Sequence, residues 1–467
     1  MSDNQVNEEL SCYSPGCCAR PARGPITPAV APQQAAARGQ DSLPPDILLR
    51  TTPEWRRQCL TESAFIPSGY TYLGQLMGHD VGSSVPLASV PYTKRGKVIG
   101  AVSRLGPRRY NLIDNPLTLE TVYGPGPLML SHVYDPDTLL FRIAPRARLA
   151  RVYRLGPDTL AETDSRLIRA LYDERNRDSL MLHELAVAWM QFHNLCARKL
   201  MADGLDPFAA YGHVRAHAVR VWHGIIRQDI LPRFLHPDIA ALPEETLPED
   251  WQLGETTLLH GLFRAFHAMP LAAYHLGRHG LHNLPDLLKV DFEPSVAETD
   301  WQIDWPLFFG EQPDGPMTGL SASVAPELRA PVSAAAVIAL DTRSTRDAMP
   351  LRLGSDEMRK ALSLLPAPWP DTLSPQRLAG DFCARYPAAP VQATARMIEW
   401  GPLFQAIMID AQLHGEKGGL GPLGSALLRG SVIGSVRRIE LIPESAATQG
   451  LPRPKTMIEL IKLVRKV

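Results

Sequence analysis

The strongest signal in the chain is the recurrence of apolar residues at spacings of three and four. Across 184–200, Leu185, Trp189, Phe192, Cys196 and Leu200 fall on one stripe of a helix. The stretch 210–230 reads as a second amphipathic helix, stopping before Pro232. A third covers 255–268 around LLHGLFRAFHA, and 397–412 and 423–434 supply two more. Alternating patterns are short and rare; 432–442 (SVIGSVRRIEL) and 148–155 are the weak strand candidates. Pro-rich breaks near 231–248, 363–374 and 386–390 read as connections between helices. The expected class is mainly α, a single large helical domain with few short strands and no solenoid repeat. Residues 1–45, rich in Pro, Ala, Gly and Arg and without periodicity, read as a flexible tail, and 46–467 as the folded domain.

Composition changes this picture little. Lys plus Arg number 48 and Asp plus Glu 49, so a net charge of -1 offers no electrostatic case for nucleic acid or an anionic membrane surface. No apolar run reaches the roughly 18 residues of a membrane-spanning helix. The N-terminus MSDNQVNEELSCYSPGCC lacks an apolar core of the secretory kind, so a cytoplasmic location is expected. The six cysteines (Cys12, Cys17, Cys18, Cys59, Cys196 and Cys383) form neither a disulfide framework nor a Cys-x-x-Cys zinc pattern. Nothing in the sequence sets an oligomeric state.

Four short segments carry chemistry. In Gly74-Gln75-Leu76-Met77-Gly78-His79-Asp80, Gln75 and His79 are four apart, so a helix puts a proton acceptor and a hydrogen-bond donor on one face. His267, in Phe263-Arg264-Ala265-Phe266-His267, sits within an apolar helix pattern, where a histidine is either a satisfied core residue or a metal or haem ligand. Asp173-Glu174-Arg175-Asn176-Arg177-Asp178 precedes the 184–200 helix; it is a solvated cap unless one arginine points into a pocket. Asp341-Thr342-Arg343-Ser344-Thr345-Arg346-Asp347 follows an apolar run and, taken alone, is a charged loop.

In order and spacing these segments resemble the animal-type haem peroxidases, the superfamily that also holds cyclooxygenases and fatty-acid dioxygenases. The matching residues are GQLMGHD at 74–80, DERNRD at 173–178, HN at 193–194, FRAFH at 263–267 and DTRSTRD at 341–347. The segment 401–424 also looks like the closing helix and loop of the bacterial branch. The resemblance spans about 55–440. It implies haem b, hydrogen peroxide and a small electron donor. It makes His79 the distal base, Gln75 the residue that orients the distal ligand, and Arg175 the catalytic arginine, with Arg177 in reserve. His267 becomes the iron ligand, next to Arg264. Asp341 stands where the family places an asparagine against the ring of the iron-binding histidine. A carboxylate there would make the ligand more electron-donating and lower the iron potential.

Other departures have consequences too. In animal members carboxylates bond to the haem methyl groups. Gly78 occupies the first such position and Asp178 the second, where glutamate is usual, so at most one ester is open. Ser179 replaces a haem-linked methionine found in one member. A non-covalent haem is expected, and strong chloride oxidation is not. The family's calcium site maps onto Asp80 with Asp114, Thr118 and Glu120, in a shuffled set that still offers hard oxygen ligands. The dioxygenase branch places a tyrosine three residues before the iron-binding histidine; here that residue is Arg264, which favours peroxidase chemistry. The alternatives are a fatty-acid-type dioxygenase using another tyrosine, such as Tyr72 or Tyr274, and a haem-binding protein without turnover.

Overall fold

Helices dominate the computed structural model, which describes residues 65–86, 109–144, 148–149, 151–152, 168–246, 258–266, 269–271, 273–288, 301–320, 353–354, 358–359, 362–363, 365–385, 391–400, 403–440 and 444–465. The 1–45 tail, His267 and the 341–347 segment with Asp341 lie outside the described residues, and so does the side chain of Arg264. In chain order the main helices are α1 (Gly69–Val81), α2 (Glu120–Tyr123), α3 (Leu180–Ala202), α4 (Pro207–Ile225), α5 (Phe263–Ala265), α6 (Pro375–Arg385), α7 (Val391–Trp400), α8 (Leu403–His414), α9 (Pro422–Glu440) and α10 (Met457–Arg465). The described strands are antiparallel pairs of two or three residues; Ser84–Pro86, for example, lies against Arg109–Asn111 with Ser84 opposite Asn111.

Local chemistry sets the limits of the central helices. The Ser179 hydroxyl accepts the Leu182 N–H at 3.2 Å and starts α3, and Gly204, at φ +98°, turns the chain away after its end. Asp206 accepts the N–H groups of Phe208 and Ala209, and Pro207 occupies the first turn of α4, where its missing N–H costs nothing. Leu185, Trp189, Phe192, Cys196 and Leu200 are all buried, as their spacing requires. So are Ala186, Val187 and Met190 on other faces, because α3 packs against α1, α4 and α10. Trp189 of α3 meets Trp222 of α4 edge-on, with ring centroids 5.5 Å apart.

Three boundaries differ from the sequence reading. The 210–230 helix loosens after Ile225 into a π turn over Ile226–Ile230, and helical backbone then continues through Pro232 in Leu231–Phe234. Proline is tolerated there because it stands in the first turn of the new segment. The 397–412 stretch divides into α7 and α8, with Gly401-Pro402 between them. The 432–442 strand candidate is helical through Glu440 as part of α9. Val432, Ile433 and Val436 are buried at helical spacing, so tertiary burial overrides the short alternation. The other candidate holds in part: Arg148–Leu149 and Arg151–Val152 are strands.

The C-terminus is tied to the first helix. Buried Asp229 accepts the Met457 N–H at the start of α10 at 2.9 Å and the hydroxyl of Tyr70 on α1. Farther along, Arg465 pairs with Glu184 of α3 at 2.8 Å. Cys196 and Cys383 are buried free thiols. No helix among the described residues is long and apolar enough to cross a membrane.

Candidate functional site

α1 is buried along its whole length except at half-buried Gln75, one turn before His79. His79 is 4 % exposed. Its Nδ1 lies 3.0 Å from the Asn176 Oδ1, whereas its Nε2 is buried with no hydrogen-bond partner among the described residues. An orphaned buried polar atom costs about 1–3 kcal/mol, and so calls for an explanation. Burial, together with the Arg175 charge and against the opposing pull of Asp173 and Asn176, brings the imidazole pKa down to about 4. The ring is therefore neutral at pH 7, and one of its nitrogens is a free acceptor.

Arg175 and Asn176 come from the short 3-10 turn Glu174–Arg177, which Asp173 caps by accepting the Arg175 N–H at 3.1 Å. The arginine does not stand as a free charge beside the histidine ring. Its Nε donates to the Asp173 Oδ1 at 2.9 Å, its Nη1 to the Gly82 carbonyl at 2.8 Å and its Nη2 to the His79 carbonyl at 3.1 Å. It clamps the C-terminal end of α1 to the 173–178 segment. Arg177, the reserve candidate, pairs with exposed Glu174 at 3.3 Å. Asp178 is buried just before α3, and its N–H donates to the Arg175 carbonyl at 3.1 Å.

Asp80 faces the opposite way from a calcium ligand. Its Oδ2 accepts the Leu119 N–H at 2.8 Å and the Trp222 Nε1–H at 3.0 Å, and its Oδ1 accepts the Thr121 N–H at 3.3 Å. Burial pushes this carboxyl up to about 7, against the pull of those donors. Glu120 is likewise turned onto N–H groups, from the backbones of Asp114 and Asn115, and Thr118 donates its hydroxyl to the Asn115 carbonyl at 2.7 Å. A cation site needs converging oxygens. Here the oxygens of Asp80 and Glu120 converge on N–H donors, and no cluster of three His, Cys, Asp or Glu suited to a metal occurs among the described residues. The set Asp80, Asp114, Thr118 and Glu120 does not fit calcium. It is a hydrogen-bonded seam that joins α1, the 113–121 loop and α4.

The segment leading to His267 passes beside α1. A π turn over Leu258–Leu262 runs into α5, and a Cβ added at Gly78 would lie 3.5 Å from the Phe263 ring. That is ordinary van der Waals contact, so Phe263 packs over α1 at Gly78 with room for a methyl group. π turns recur at functional sites. On α1 the Nε2 of His79 is a buried acceptor without a partner among the described residues, a nitrogen open to a ligand.

Solved structures of similar fold give this one a context. Peroxidase A from Dictyostelium discoideum superposes with a TM-score of 0.54 at 13 % identity, over 86 % of this chain and 85 % of that one. The fatty acid alpha-dioxygenase of Oryza sativa gives 0.50 at 11 % identity, over 90 % and 77 %, and that of Arabidopsis thaliana 0.51 at 13 %, over 89 % and 73 %. All three belong to the animal-type haem peroxidase (peroxidase–cyclooxygenase) superfamily. The chain has the animal-type haem peroxidase fold. No family model and no curated protein sequence matches it. His79 and Arg175 are candidates the sequence names, whereas Asn176, a neutral amide between two arginines, and Thr121 carry no signal there and are brought to the histidine by the fold.

Proposed function

We propose that this chain is a haem peroxidase: an oxidoreductase that reduces hydrogen peroxide and oxidises a small organic or halide donor. The observation that carries the reading is the buried, unpaired Nε2 of a neutral His79. His267 would hold the iron through a ring nitrogen. Haem, when bound, would supply the electrons for O–O cleavage. The protein supplies the proton traffic: Nε2 accepts the proton of the incoming peroxide and returns it to the departing oxygen. The Arg175 clamp holds the backbone of His79 in place, and burial keeps water from competing at Nε2. The relation to fatty acid alpha-dioxygenases supports a second reading, oxygenation of a fatty-acid-like substrate. Arg264, at the position the resemblance gives to the radical tyrosine, favours peroxidase.

The test is an absorption spectrum of the purified chain supplied with haem, repeated after one equivalent of hydrogen peroxide and again after a phenolic donor. A strong Soret band should appear, shift with peroxide and return with the donor. A band indifferent to peroxide would reject the peroxidase reading, and no band would reject haem altogether. The pH dependence is a further expectation. The rate of the peroxide reaction should stay flat through the range of an ordinary histidine, about 6.5, because Nε2 is already free of a proton there. It should fall only as the pH nears 4, where the ring gains its proton and Nε2 ceases to accept. Stopped-flow rates showing an acid limb centred near about 6.5 would contradict this.

A further inference from the structure

We propose that Asn176 is a positioning residue that holds His79 in the tautomer with Nδ1 protonated and Nε2 bare, and that the Asp173 carboxylate sets this orientation through Thr121. The orientation follows from counting protons along a chain of buried groups. Arg175 pairs with Asp173, so this carboxylate is an acceptor only. Burial alone would raise its pKa, but the Arg175 charge and hydrogen bonds bring it below the usual carboxylate range. The Thr121 hydroxyl lies 2.9 Å from the Asp173 Oδ2 and 3.4 Å from the Asn176 Oδ1. It has a single proton, and the shorter contact to a charged acceptor takes it. The Thr121 oxygen is then left as an acceptor toward Asn176.

Asn176 Nδ2 lies 3.0 Å from the Thr121 carbonyl and 3.1 Å from the Thr121 hydroxyl oxygen. Two acceptors on that side require the NH₂ of the amide to face Thr121. The reverse orientation would set the amide oxygen against two other oxygens. The Asn176 carbonyl must therefore face His79, and a carbonyl only accepts. His79 Nδ1, 3.0 Å away, has to be the donor. A neutral imidazole has one N–H, so Nε2 is bare, and it is Nε2 that lacks a partner. Asn176 is fully buried. The tautomer is derived from this geometry alone; its consequence for turnover rests on the peroxidase reading.

The test is ¹⁵N NMR of the histidine ring nitrogens in the full-length chain, as purified and, once loaded with haem, in its diamagnetic ferrous carbonyl form. The His79 signals are assigned by their loss in His79→Gln. The wild type should show a protonated Nδ1 and a bare Nε2. Asn176→Leu, of similar size but with no acceptor, should move at least half of the population to the other tautomer. It should also slow the peroxide reaction by about 10²-fold at unchanged haem content. A wild-type Nε2 that is protonated, or an Asn176→Leu spectrum identical to wild type, overturns the proposal. If Asn176→Leu does not fold, the wild-type spectrum alone decides. The expected tautomer in a haem-loaded protein inert to peroxide would sustain this assignment and reject the peroxidase reading.

Discussion

His79→Ala is expected to keep haem and to lose about 10²- to 10⁴-fold in the rate of reaction with peroxide. General acid–base catalysis by one positioned group accounts for a factor of this size. The histidine makes a side-chain bond to Asn176, and its other ring nitrogen is unpaired, so removing the ring takes away an acceptor while α1 remains packed by its other residues. His267→Ala is expected to behave in the opposite way, with haem lost, because the ring nitrogen that would hold the iron is removed. Stopped-flow spectra at the Soret band and haem content per chain distinguish the two. A His79→Ala protein that reacts at the wild-type rate would remove the distal assignment, and a His267→Ala protein with full haem content would remove the proximal one.

The second large effect is on stability. Asp80→Ala should destabilise the fold by about 3–6 kcal/mol, since it strips the acceptor from three N–H groups at roughly 1–3 kcal/mol each, with incomplete additivity. The donors are Leu119, Thr121 and Trp222, from the 113–121 loop, α2 and α4, so the loss is felt across the seam that supports the end of α1. This is a large share of the 5–15 kcal/mol typical of a folded domain. Trp222→Phe, which removes one donor and leaves the carboxylate two, should cost about 1–3 kcal/mol. Urea midpoints measure both. Exhaustive chelation should leave the wild-type midpoint in place, because N–H groups and not a cation satisfy Asp80. A midpoint that drops on chelation as far as in Asp80→Ala would reinstate calcium. One that ignores Asp80→Ala would deny the seam its role.

Much of the helical frame was legible in the sequence. The spacing of Leu185, Trp189, Phe192, Cys196 and Leu200 predicts the body of α3, while the starts of α3 at Leu180 and α4 at Pro207, capped by Ser179 and Asp206, lie three or four residues before the periodic stretches. These signals are local: a helix buries residues three and four apart, and a cap bonds an amide two or three residues on. The order of the motifs, from GQLMGHD to FRAFH, likewise announced the superfamily whose fold the chain adopts. The same local reasoning failed at 432–442, where a few alternating residues were outweighed by the burial of α9 against its neighbours.

The chemistry of the site was settled only in three dimensions. The family resemblance implied Asp80 as a cation ligand and Arg175 as a catalytic charge. The folded chain turns Asp80 onto N–H groups 39, 41 and 142 residues away and engages Arg175 with Asp173 and the end of α1. Asn176 meets His79 across 97 residues, and no periodicity or motif spacing encodes such a contact. The sequence by itself determined which segments are helical, and which residues could donate or accept protons. Which donor meets which acceptor, and so which nitrogen of His79 is bare, was decided by tertiary packing, because a hydrogen bond depends on a separation of about 3 Å that only the whole fold sets.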